Sequence, residues 1–215
     1  MGYRKQSFAI SEYYHLYNRG VEKRKIFLDK RDYLHFLYLM YVCNTIKNIK
    51  TRDLGNDFDR EETIVSIGAY CLMPNHFHIL VKEKTNNGIS LFMRKLLTAY
   101  AMYFNLKYKR TGRLYENTFK SSHVGDDRYL KYLFAYIHLN PAKLIDKNWK
   151  EKQTKKVHQL LKFVSMYEFS SLQEYVKFPI NIKRTILNKK AFPNYFEKLD
   201  NHKSELFDWL SYHTG

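Results

Sequence analysis

Apolar positions recur along this chain with two periods, and the switches between them divide its first 140 residues into alternating strands and helices. Residues 11–18, Ser-Glu-Tyr-Tyr-His-Leu-Tyr-Asn, read as a first strand turned by Asn18-Arg19-Gly20. Asp29 and Asp32 stand as N-cap candidates for a helix through residues 33–42, apolar over much of its circumference and so expected to pack hard against a sheet. Residues 50–62 are polar and loop-like. A second strand is expected over 64–72, and Met73-Pro74-Asn75 turns it into a third over 76–84, closing a hairpin. Thr85-Asn86-Asn87-Gly88 leads to a long helix over about 89–109, broken by Thr111-Gly112-Arg113. Residues 115–124 read as a fourth strand, and Gly125-Asp126-Asp127 caps a helix over 128–139 that stops at Asn140-Pro141.

The order strand–helix–strand–strand–helix–strand predicts an α+β fold of the ferredoxin-like, split βαβ kind. Its antiparallel sheet carries helices on one face and leaves the other for function. After Pro141 the composition changes. Residues 147–156 form a charged linker candidate, and Phe-Pro pairs at 178–179 and 192–193 interrupt short helical patterns. The expected division is a catalytic domain over 1–145 and a basic, mostly helical C-terminal extension over 146–215. Leu160, Leu161, Phe163, Val164, Phe196, Leu206, Phe207, Trp209 and Leu210 give that extension enough apolar surface to dock.

Charge changes the picture more than length does. The 215 residues carry 37 Lys+Arg against 21 Asp+Glu, a formal net charge of +16, which favours polyanionic partners, nucleic acid first. Aromatic content is high, with 19 Tyr and 15 Phe; rings mixed with basic side chains suit single strands, whose unstacked bases can lie on them. Cys43 and Cys71 both sit in apolar stretches, as buried thiols of a reducing compartment do. No run approaches a membrane span and the N-terminus lacks a long apolar core, so a cytoplasmic protein without a membrane partner is expected.

The candidate chemistry centres on Met73-Pro74-Asn75-His76-Phe77-His78-Ile79-Leu80-Val81. On a strand, His76 and His78 point the same way with roots roughly 6–7 Å apart. That is a workable bite for one metal ion, although the same pair can stand on a half-exposed strand with no ligand. A second feature lies on the helix ending at Asn140, where Tyr129, Tyr132, Tyr136 and Asn140 share one face. Such a stripe suits core packing, but Tyr136 and Asn140, at i and i+4, can also address one ion or phosphate.

Together these motifs, His76-Phe77-His78 and Tyr136-Ile137-His138-Leu139-Asn140-Pro141, resemble the single-tyrosine HUH transposases, closest to their REP-associated tyrosine transposase branch. Tyr17-Asn18-Arg19-Gly20, Gly112-Arg113 and Tyr167-Glu168-Phe169-Ser170-Ser171 match as well, with Phe169 where that branch has Trp. The resemblance covers roughly residues 10 to 175. It implies a divalent metal, Mg²⁺ or Mn²⁺, held by His76, His78 and Asn140, and Tyr136 as nucleophile. Related transposases outside this branch often have Gln in place of Asn140. The reaction implied is cleavage of single-stranded DNA at hairpin-forming, REP-like repeats through a 5′-phosphotyrosine bond, with no nucleotide cofactor. Arg19, Arg94, Lys95, Lys107, Lys109, Arg110, Arg113 and Lys120 are the DNA-contact candidates. The extension favours a monomer over a dimer.

Two other readings compete. One is a non-catalytic single-stranded nucleic-acid-binding module on a ferredoxin-like sheet, which the intact His76, His78 and Tyr136 argue against. The other is a replication initiator or relaxase sharing the histidine pair; there the tyrosine precedes the pair, whereas here it follows.

Overall fold

A computed structural model describes residues 7–50, 54, 58–149, 156–176, 185–195 and 206. Four strands, β1 (Tyr13–Arg19), β2 (Val65–Met73), β3 (His76–Glu83) and β4 (Lys120–Val124), form one antiparallel sheet in the order β2-β3-β1-β4. With α1 (Lys30–Val42) between β1 and β2 and α2 (Gly88–Lys107) between β3 and β4, this is the ferredoxin-like arrangement the periodicities predict. No helix among the described residues is long and apolar enough to cross a membrane.

Both crossover helices lie on one face. Asp29 and Asp32 start α1 as a reciprocal capping box, the Asp29 carboxylate accepting from the Asp32 amide and the Asp32 carboxylate from the Asp29 amide. Asp32 is fully buried and also accepts from Lys107, Tyr103 and Tyr108, which ties the start of α1 to the end of α2. Along α2, Ile89, Phe92, Met93, Leu96, Tyr100 and Phe104 fall on one stripe and pack with Phe36 and Met40 of α1 over Leu16, Phe77 and Ile79 of the sheet. The buried Glu83 carboxylate takes the Ile89 amide at 2.7 Å, satisfying one of the unpaired donors at the start of α2.

One irregularity sets the faces of β2. The register shifts between Ile67 and Ala69, so Val65 and Ile67 before it, and Tyr70 and Leu72 after it, all reach the helix-side core. Gly68 sits in that bulge, and a Cβ there would lie 2.7 Å from the Phe192 ring.

The second face, expected to be left for function, is partly covered. Helix α3 (Asp127–Leu139), capped by Asp126, buries Leu130, Leu133, Phe134 and Ile137 against Ala69, Cys71, Met73, Leu80 and Phe192. Its other flank, Ala135 and Leu139, joins Trp149, Leu160, Val164, Leu172 and Leu206 in a further cluster. The C-terminal extension therefore docks on α3, through α4 (Val157–Met166) and the following residues. It also borders the outer edge of β2: the Leu72 amide donates to Phe169, the Ser171 amide to Tyr70 and the Asn188 amide to Ile67. Such pairing covers a sheet edge that would otherwise present unpaired backbone groups.

Strand β4 is shorter than the expected 115–124. Over 115–117 the chain is held in other ways: Tyr115 bridges Gly20, the Glu116 amide donates to Arg19, and the Asn18 side chain donates to the Asn117 carbonyl. Residues 51–53 and 55–57 of the polar loop, 150–155 of the linker candidate, the 178–179 Phe-Pro pair and Phe196, Phe207, Trp209 and Leu210 lie outside the described residues.

Candidate active site

The register of the sheet lines up the candidate side chains in rows. Arg19 of β1 pairs with His76 of β3, and Tyr17 pairs with His78 on one side and Lys120 on the other. Directly opposed residues share a face, so Arg19, Tyr17, Lys120, His76 and His78 all stand on the second face, while Phe77 and Ile79 enter the core. The strand parity expected for the histidine pair holds. The two imidazoles meet edge to face with centroids 5.1 Å apart.

Helix α3 brings Tyr136 over this pair. Its ring lies edge-on to His78 at 5.5 Å between centroids and to His15 at 6.0 Å. Burial raises the Tyr136 phenol above its ordinary value; Asn140 opposes the shift and Tyr129 and Tyr17 add to it, so the phenol is neutral near pH 7. Asn140 caps the helix, its amide Nδ2 donating to the Tyr136 carbonyl at 3.0 Å. Its Oδ1 is buried with no hydrogen-bond partner. Burial pushes the His76 imidazole down to about 4, with Lys143 and Arg19 pushing further and Asn140 opposing. Asn140 thus opposes the shift of both Tyr136 and His76.

The histidines are held from behind. Asn75 donates its Nδ2 to the Lys23 carbonyl, so its Oδ1 is the atom facing His76 Nδ1 at 2.7 Å. That oxygen only accepts, so Nδ1 of His76 carries the proton and Nε2 presents a lone pair. His78 Nδ1 lies 2.8 Å from Nε2 of His15, a buried histidine of β1 that burial pushes down to about 4. Two imidazole nitrogens and an orphaned amide oxygen form a donor set that fits Mg²⁺ or Mn²⁺, the imidazoles favouring Mn²⁺. Among the described residues no three His, Cys, Asp or Glu side chains form a metal cluster.

Three contributors lay outside the sequence reading. His15 and Tyr17 share a face with Arg19 by simple alternation, but only the register places them beside His78. Lys143 follows the helix in a 3-10 turn over Asn140–Leu144, half-buried, with its ammonium 5.9 Å from the Tyr136 ring centroid. Burial pushes that ammonium below its ordinary value, Cys71 opposing, and no carboxylate pairs with it among the described residues. His138, by contrast, turns inward to Ser171 Oγ at 2.8 Å and packs.

The basic candidates divide. Arg19, exposed and paired with Glu116 at 2.6 Å, and the exposed Lys120 share the histidines' face, on the β1 and β4 side of them. Arg113 is exposed in the turn before Leu114, and Arg94 and Lys109 are exposed on or just beyond α2. Arg110 lies over the Phe104 ring at 5.6 Å. Two expectations are corrected. Lys95 donates to the Thr45 and Lys47 carbonyls, both at 2.6 Å, and Lys107 donates to Asp29 and Asp32. Both spend their charge on internal acceptors in the helical layer, on the opposite side of the sheet from the histidines.

The family model of IS200-like transposases matches residues 11–140, a span that runs from β1 to Asn140. The chain belongs to that family, and so to the transposase class of enzymes. Among solved structures it is similar to a REP-associated tyrosine transposase bound to a REP hairpin, at 16% identity and a TM-score of 0.51, with 90% of this chain and 98% of that one covered. It is also similar to a candidate transposase of Deinococcus radiodurans R1, at 14% identity and a TM-score of 0.38, covering 61% of this chain and 93% of that one. No curated protein matches the chain in sequence.

Proposed function

We propose that this transposase is a metal-dependent single-strand DNA endonuclease and strand transferase acting at hairpin-forming repeats through a covalent bond to Tyr136. The observation that carries the reading is the convergence of Tyr136, His76, His78 and the unpartnered Oδ1 of Asn140 at one end of the sheet. A hairpin substrate is supported by the REP hairpin bound to the structural neighbour and by the net charge of +16.

In the step proposed, the Tyr136 oxygen attacks the scissile phosphorus in line. The bond from phosphorus to the 3′ oxygen breaks, the phenol loses its proton, and the leaving 3′ oxygen gains one. The phosphodiester energy is kept in the 5′-phosphotyrosine, and attack by another strand's 3′-hydroxyl reverses the step and joins the strands. A divalent ion held by His76, His78 and Asn140 would polarise the phosphate oxygens and offset the charge that gathers in the transition state. Asn140 closes the end of the helix that carries the phenol, and Lys143 would offer an ammonium to a phosphate oxygen beside the ring. Arg19 and Lys120, both on the β1 and β4 side of the histidines, would take the backbone there.

The test uses a single-stranded hairpin from the repeats flanking the gene, labelled at the 5′ or 3′ end, with Mn²⁺, Mg²⁺ or EDTA. A metal-dependent covalent adduct on the strand 3′ of the nick, absent from Tyr136→Phe, is expected. Tight hairpin binding with no adduct under either metal would instead make the protein a binding module. Cleavage that survives Tyr136→Phe would remove Tyr136 as nucleophile.

A further inference from the structure

His15 has no part in the chemistry above, yet it touches the histidine pair from another strand. It lies on β1, 6% exposed, its ring stacked on His78 with centroids 5.0 Å apart and planes 21° apart. Its Nε2 faces Nδ1 of His78 at 2.8 Å. Between two facing ring nitrogens only one proton fits, whichever ring carries it.

The two possibilities differ in what His78 shows to the site. With the proton on His78 Nδ1, Nε2 of His78 presents a lone pair, and the pair matches His76, whose Nδ1 proton is fixed by Asn75. With the proton on His15 Nε2, a neutral His78 carries its hydrogen on Nε2 and turns an N–H dipole towards any cation. A histidine ligand needs its second nitrogen held by an acceptor. For His76 that acceptor is the side-chain oxygen of Asn75, next in sequence; for His78 the nitrogen facing Nδ1 is Nε2 of His15.

We infer that His15 is a positioning residue: it accepts from Nδ1 of His78 and so holds His78 in the tautomer whose Nε2 can bind a divalent cation. The inference rests on the metal reading given above. His15 itself must then carry its proton on Nδ1. Packing alone would ask only for a flat ring at this place, between Tyr17, stacked at 5.0 Å, and His78.

The experiment separates acceptor from shape with His15→Phe, which keeps a flat ring, and His15→Gln, whose amide oxygen reaches about as far as Nε2. Mn²⁺ binding to the DNA-free protein is measured by calorimetry, and the His78 tautomer in the metal-free protein by side-chain ¹⁵N shifts. Wild type is expected to show His78 as the Nδ1–H tautomer. His15→Phe should bind Mn²⁺ about 10- to 100-fold more weakly, and His15→Gln should recover most of that loss. Thermal melts identify a variant that fails to fold, in which case the wild-type tautomer and His15→Gln decide. Unchanged Mn²⁺ affinity in a folded His15→Phe protein, or wild-type His78 protonated on Nε2, overturns the inference. A wild type that binds no Mn²⁺ overturns the metal reading and the cation half of the inference with it, while a Nδ1–H spectrum would still establish the hydrogen bond.

Discussion

The rings of Tyr136 and His78 meet edge to face with centroids 5.5 Å apart, although one is carried by α3 and the other by β3. Both elements belong to one chain, and α3 is held over β2 and β3 by Leu130, Leu133, Phe134 and Ile137. The site is expected to be completed within one chain. Mixing Tyr136→Phe protein with His78→Ala protein is therefore expected to yield no covalent adduct on a labelled hairpin. Adduct recovered in the mixture would mean that the tyrosine of one copy serves the histidines of another.

Asn140 carries two separable functions on one amide. Nδ2 closes the helix on the Tyr136 carbonyl, whereas the buried Oδ1 has no hydrogen-bond partner. Asn140→Ala loses both, and Mn²⁺ affinity should fall about tenfold, or ~1.4 kcal/mol. Asn140→Asp keeps an oxygen and adds charge, so it should bind Mn²⁺ at least as well as wild type. Calorimetry on the DNA-free proteins reads both. Equal losses in the two variants would assign Asn140 to helix capping alone.

Lys143 places an ammonium 5.9 Å from the Tyr136 ring centroid, in a half-buried position without a carboxylate partner among the described residues. A charge aimed where a transition state gathers negative charge contributes on the order of 10²-fold in rate when it is removed. Lys143→Met should slow adduct formation by about that factor and leave hairpin affinity within a few-fold. Single-turnover kinetics with saturating hairpin distinguish the two. A loss confined to affinity would make Lys143 a general DNA contact.

The pH dependence of stability should come from the other side of the sheet. Burial works against ionisation of Asp32, but Lys107, the Leu28 amide and Tyr108 outweigh it and hold the carboxyl below its ordinary value of 3.8. A carboxyl with a lower pKa folded than unfolded stabilises fully above the unfolded value, and that contribution is lost as pH falls through the folded one. Acid unfolding is thus expected to set in below about pH 4. Asp32→Ala, which strands Lys107 and two phenols, should cost on the order of 3 kcal/mol at pH 7 and flatten the acid limb. Urea unfolding at several pH values measures both.

Much of this was legible in the residue pattern because it depends on local rules. The capping box at Asp29 and Asp32, the apolar stripe of α2 and the parity that sends Phe77 inward and His76 and His78 outward all follow from spacing. The bulge at Gly68, which lets Ile67 and Tyr70 share a face, breaks that parity without a local signal beyond the glycine itself. His15 became a partner of His78 only through the register of β1 on β3, a non-local choice. Lys95 and Lys107 looked like surface charge because spacing says nothing of the carbonyls and carboxylates that reach them.

The boundary expected near residue 145 divides the sequence by composition, but the packing runs across it. Trp149, Leu160, Val164 and Leu172 lie against Ala135 and Leu139 of the helix that carries Tyr136, and residues 169–171 border the β2 edge. Removing residues 146–215 would expose that flank and leave β2 with unpaired backbone groups. Four large apolar side chains at ~1.5–3 kcal/mol each are enough to lower the melting temperature by more than about 10 °C. The truncated protein should therefore melt early or aggregate, and its Tyr136 adduct should be lost together with its fold. Gly68→Val tests another contact of the extension by a single change, because a side chain there must displace Phe192. Calorimetric scans of the truncation and of Gly68→Val should both shift down. A truncated chain that melts like wild type and still forms adduct would make the extension dispensable for the fold of residues 1–145.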